Sequence, residues 1–103
     1  EEMARNFHEQ KGMSIACLRP WSIIDAERMV TTDGNPVTRH SWGSIDCRDV
    51  ASSLVCALEA DDIGFDCFYV MATDEAYDRT DVAWTEERLN WKPMRRFDPK
   101  EKP

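Results

Sequence analysis

Asp46 and Asp49 stand about one helical turn apart in Ile45-Asp-Cys-Arg-Asp-Val-Ala51, a spacing that invites a paired-carboxylate site. Helix capping explains both residues more simply. An Asp at 46 can accept the free N–H of Asp49, and both carboxylates then lie at the positive end of a helix dipole. The four cysteines, Cys17, Cys47, Cys56 and Cys67, include no Cys-x-x-Cys pair and no metal-ligand spacing with His8 or His40. Cys17 and Cys67 fall in apolar, strand-like runs, where a free thiol behaves as a small hydrophobe. Reduced thiols, not a disulfide or a zinc site, are expected, and with them a cytoplasmic location.

The elements that must position these residues come from a chain of 103 residues, 42% hydrophobic and 32% charged. That is enough for one domain with an adequate core. A net charge of −7 argues against a surface that tracks nucleic-acid phosphates or anionic lipid. No apolar run approaches the ~20 residues of a membrane span, and no signal-peptide pattern opens the sequence.

Residues 1–11 carry a narrow apolar stripe of Met3, Ala4 and Phe7 with no capping residue ahead of it, and Gly12 is a natural helix stop. This reads as a helix cut in its middle, and one through which a homodimer could form. Residues 13–18 and 66–72 read as strands with small or apolar side chains on both faces, the pattern of buried parallel strands. Pro20 should end the first of them. Residues 19–43 read as a long irregular section with a turn cluster at 32–36. A helix over about 46–60 follows, its apolar sector formed by Val50, Ala51, Leu54, Val55, Ala57 and Leu58. Residues 73–82 look like a polar loop, Thr85–Leu89 a helical turn, and the tail from Arg95 has little to pack with. Two strands apolar on both faces need neighbours, so the chain should be incomplete without upstream strands or should assemble with something else.

Four stretches in order, Glu2–Lys11, Ile15-Ala-Cys-Leu-Arg-Pro20, Ile45-Asp-Cys-Arg-Asp-Val-Ala51 and Leu89-Asn-Trp-Lys-Pro93, resemble one family. It is the extended short-chain dehydrogenases, or NAD-dependent epimerase/dehydratase family, in its C-terminal portion. Asn90 stands where that family has Gly. The resemblance implies an α/β fold: the C-terminal part of a Rossmann-like parallel sheet with a small substrate-binding lobe. The implied cofactor is NAD or NADP, and the implied substrate a small sugar-type molecule. Pro20 would present its backbone to the nicotinamide carboxamide. Leu18-Arg-Pro-Trp-Ser22 and Arg39-His-Ser-Trp-Gly-Ser44 are similar to the hexuronate dehydrogenase branch, with Arg39 shifted by two positions.

The resemblance places Ser22 and Arg39 as substrate-binding residues, Arg39 gripping a carboxylate in bidentate fashion. An ordinary turn Ser and a solvated loop Arg are the competing readings. No catalytic residue is assigned. The Gly-rich dinucleotide loop and the family's Tyr-x-x-x-Lys pair are absent, and neither Tyr69 nor Tyr77 has a Lys at helical spacing. The expected function is therefore a substrate lobe of an NAD(P)-dependent oxidoreductase or epimerase, not catalytic alone. The alternative is a non-catalytic module that docks its apolar strands on a partner protein. Trp42, Trp84 and Trp91 are expected to pack rather than to stack on ligands.

Overall fold

The computed structural model describes residues 1–37 and 41–97. Helix α1 (Glu2–Lys11) ends at Gly12, whose left-handed φ of 68° closes the helix as the sequence implies. Strand β1 (Ile15–Pro20) follows, and later β5 (Phe65–Val70) pairs with it in parallel, Ile15 opposite Phe65 and Pro20 opposite Val70. The parallel pair was legible in the sequence. Its extent differs a little: β1 begins at Ile15 rather than at 13, and Pro20 is its last residue. A strand bonded on one side only tolerates a residue without an N–H, and among the described residues β1 pairs with β5 alone.

The two faces of this pair are unequal. Phe68 and Val70 are fully buried, with Ala16 and Leu18 packed on the same core. The alternate residues face α1, where the Arg5 guanidinium sits 4.5 Å from the Phe65 ring centre and the His8 ring 6.0 Å from it. Arg19 Nη1 donates to the Tyr69 hydroxyl at 3.2 Å on that side. The expectation of two equally buried faces is thus corrected: one face is core, the other a half-covered mixture of apolar, thiol and charged groups.

The section expected to be irregular holds a second sheet. β2 (Ser22–Asp25) pairs in parallel with β4 (Ser44–Asp46) and antiparallel with β3 (Val30–Thr31). The turn cluster at 32–36 does its expected work: Gly34, at φ 84°, donates its N–H to Thr31 O at 2.9 Å, and Thr31 N–H reaches Asn35 O at 2.8 Å. Ile24 and Ile45 carry this small sheet into the common core.

Helix α2 (Cys47–Glu59) begins where expected, capped by Asp46, which accepts the N–H of Arg48 at 2.9 Å rather than that of Asp49. Its inward face is only partly the apolar one: Val50 and Ala57 pack on the core as expected, beside polar residues. Asp49 and Ser53 are buried, while Leu54 and Val55 are each 53% exposed and Leu58 is 87% exposed. The cause is the returning C-terminal stretch. Trp91 Nε1 donates to Asp49 O at 3.1 Å and Ser52 Oγ at 3.0 Å, and the N–H groups of Met94 and Arg95 both reach the Asp49 carboxylate at 3.0 Å. A polar stripe whose donors and acceptors are met in this way can be buried at little cost.

Two further corrections concern the end of the chain. The expected loop at 73–82 contains helix α3 (Asp74–Arg79), capped by Thr73 Oγ1, which accepts the Ala76 N–H at 3.0 Å. The expected turn is the second half of α4 (Val82–Leu89), which starts at an Asp81 cap and stops at left-handed Asn90. Phe97 is buried and donates its N–H to Ala72 O at 2.8 Å, so the tail is anchored at least that far. No helix among the described residues is long and apolar enough to cross a membrane.

Candidate functional site

The carboxyl ends of β1 and β5 bring together the chain's most exposed aromatic chemistry. Pro20 closes β1, and Trp21 follows with 65% of its surface exposed. Trp21 is nonetheless held. Ser22 N–H donates to Gly43 O at 3.0 Å, and a Cβ on Gly43 would lie 2.6 Å from Trp21 Cβ. Only glycine allows that approach. The Trp21 and Trp42 rings lie 5.4 Å apart at 33°, and the Arg79 guanidinium sits 4.8 Å from the Trp42 ring. Thr73 Oγ1, at the exit from β5, donates to Trp42 O and fixes the second indole's backbone. Ala72 N–H donates to Ser44 O at 2.9 Å, tying the same exit to β4.

This is an aromatic ledge with a cation beside it. Indole faces take the apolar face of a flat or sugar-like ring, and a neighbouring guanidinium can accept a carboxylate in two hydrogen bonds. Arg79 is already paired with Glu75 at 2.8 Å, yet a guanidinium carries five donors and that pair occupies only part of them.

Of the residues singled out from sequence, Pro20 and Ser22 flank Trp21 directly, with Ser22 half-buried and bonded through its backbone. Arg39 and His40 lie outside the described residues. Trp42 packs half-buried against the core, as expected, and also meets Trp21 and Arg79. Trp91 does pack, buried against α2, whereas Trp84 is exposed and donates its Nε1 to Asp66 Oδ2 at 2.9 Å. Sequence reasoning missed Trp21, although its place just past a strand end was a usable signal. It missed Arg79 for want of any signal, because α3 itself went unread.

Asp46 and Asp49 do not form a catalytic pair. Burial would raise the Asp46 pKa, but the Arg48 side chain and the N–H groups of Ala26 and Arg48 overcome it, holding Asp46 at about 2. Arg48 also reaches Asp25 and Glu27, so the carboxylate is locked into a structural network. Tyr77 is unsuited as a base. Burial pushes its phenol well up, and its hydroxyl donates to Glu86. Arg19 holds Glu1 at about 2 through a direct hydrogen-bonded pair. Among the described residues no group of three His, Cys, Asp or Glu side chains could hold a metal ion. A cavity of about 270 Å³ between α2 and α4 is lined by Cys56, Glu59, Asp61 and Arg88. Arg88 there donates to Asp61 O at 2.6 Å.

Comparison with family models returned no match, and comparisons with curated proteins and with solved structures returned none either. The class defined by the fold is thus an α/β chain with a small parallel sheet.

Proposed function

We propose that this chain is the substrate-binding part of an NAD(P)-dependent oxidoreductase or epimerase that acts on a sugar acid. The observation that carries the reading is the ledge of Trp21 and Trp42, with Arg79 beside it, at the carboxyl ends of a parallel strand pair. Ligands of open α/β sheets bind beyond those ends. The resemblance in Leu18-Arg-Pro-Trp-Ser22 and the succession of strands and α2 support the Rossmann-like assignment. The described residues do not make a dinucleotide site by themselves. Pro20 offers one backbone carbonyl, and nothing nearby cradles phosphates. The role proposed for this chain is therefore to hold the sugar, with Trp21 under its ring, Ser22 on its polar groups and Arg79 on its carboxylate, the group that the resemblance gives to Arg39.

The test is an NMR titration of the chain with D-glucuronate and, separately, with D-glucose. Shifts should centre on the indole signals of Trp21 and Trp42 and the amides of Ser22 and Gly43, with tighter binding of the acid. Trp21→Ala should weaken glucuronate binding by about tenfold, or about 1.4 kcal/mol. Equal response to both sugars, or shifts unaffected by Trp21→Ala, would remove the sugar-acid reading.

A second reading, a docking module for a partner protein, is favoured by Leu54, Val55 and Leu58 on the outside of α2. Those residues, rather than the strands, would be its contact surface. Met3 and Phe7, 73% and 48% exposed on α1, would serve a homodimer.

A further inference from the structure

Cys17 and Cys67 occupy the same rung of the parallel pair: Cys17 of β1 is registered directly against Cys67 of β5. Side chains alternate along a strand, so two residues on one rung of a parallel ladder share a face. The next rung on that face confirms this here, since Arg19 and Tyr69 are also registered partners and bond side chain to side chain at 3.2 Å. Adjacent strands run about 4.7–4.9 Å apart. A disulfide spans Cα atoms about 4.4–6.8 Å apart, a range that includes this strand spacing. Both thiols are free and both are half-buried, which leaves them open to a small reagent. They lie on the α1 side of the sheet, away from the core formed around Phe68 and Val70. A bond between them would not have to displace core packing.

The other two cysteines are placed differently. Cys47 is exposed at the start of α2, and Cys56 sits farther along that helix with its thiol against Asn90 O at 3.7 Å. Neither is registered against another thiol.

We propose that Cys17 and Cys67 form a cross-strand dithiol, which a low-molecular-weight disulfide converts to an intramolecular disulfide bridging β1 and β5. In the first step one thiolate of the pair attacks a sulfur of the small disulfide. A sulfur–sulfur bond forms to the protein, and one small thiolate leaves. In the second step the other cysteine loses its proton and attacks the protein sulfur of that mixed disulfide, expelling the second small thiolate. Two protein thiols and one small disulfide become one protein disulfide and two small thiols, and the two electrons pass to the reagent. Burial pushes the Cys67 thiol up, with Glu1 adding to the rise and the Arg19 guanidinium opposing it. That suits Cys67 to the second step, where proximity on the rung replaces a high thiolate fraction.

The experiment treats the reduced full chain with oxidised glutathione under conditions where circular dichroism shows it folded. Free thiols are then blocked with N-ethylmaleimide and peptides mapped without reduction. The exposed Cys47 is changed in parallel to Ser, to remove an unrelated adduct. A peptide carrying Cys17 linked to one carrying Cys67 should exceed glutathione adducts on either residue by about tenfold or more, as an effectively intramolecular step requires. In Cys67→Ser the linked peptide should vanish and Cys17 should keep its glutathione adduct; in Cys17→Ser the link should also vanish, with a slower adduct on Cys67. Persistent adducts on Cys17 or Cys67 without a link in the folded chain would overturn the proposal. So would a link that forms equally fast in the urea-unfolded chain.

Discussion

Replacing Asp49 by Ala tests whether the C-terminal stretch is clasped to α2 as the fold requires. Asp49 is 1% exposed, and its carboxylate accepts the N–H groups of Met94 and Arg95, each at 3.0 Å, with Arg95 Nη1 3.8 Å away. Each hydrogen bond to a charged acceptor contributes about 1.5–3 kcal/mol. Met94 is 81% exposed, so water can reach part of what the truncation frees, and the lower end of that range applies. The expected loss is about 3 kcal/mol for the two bonds together, or roughly 12–24 °C in Tm for a domain of this size. Asp49→Asn keeps one acceptor oxygen and should cost about half as much. If Asp49 acted only on the helix dipole, the loss would be about 0.3–1 kcal/mol. Urea unfolding followed by far-ultraviolet circular dichroism distinguishes the two. A loss under about 1 kcal/mol would refute the clasp.

Gly43→Ala would place a Cβ 2.6 Å from Trp21 Cβ, at the rigid end of that side chain, and should cost about 1–3 kcal/mol while shifting Trp21 emission. An unchanged urea midpoint and emission spectrum would show that Trp21 is not held there. Acid should expose the Asp46 network. Its folded pKa, about 2, lies below the ordinary 3.8, so the stabilisation is complete above about pH 4 and is lost as pH falls through about 2. That loss is about 2 kcal/mol, and Asp46→Asn should flatten the stability profile across that window. Leu58→Glu, at a position 87% exposed, should change stability by no more than about 0.5 kcal/mol. Dissociation of an oligomer by the same change, seen in light scattering, would instead favour the docking reading of α2.

The Asp46 start of α2 and the Gly12 stop of α1 were legible in the sequence, because each depends on groups within a few residues of one another; the two parallel strands were legible as runs of apolar and small residues. A carboxylate beside free N–H groups caps a helix wherever the rest of the chain goes, and a glycine after the last turn can take a φ of 68° without a Cβ in the way. The inward face of α2 was legible only in part, since Val50 and Ala57 do pack on the core. A helical wheel ranks Leu54 and Leu58 above Asp49 and Ser53, but it cannot know that Trp91, Met94 and Arg95 return from forty residues onward to satisfy the polar stripe. The β2–β3–β4 sheet escaped notice for a related reason: strands of two to four residues carry too short a pattern, and their pairing is decided by partners distant in the chain. The candidate site divides in the same way. Pro20 and Ser22 are neighbours in sequence and could be nominated from it, whereas Trp21 meets Trp42 and Arg79 only because three separate elements end at one edge of the fold.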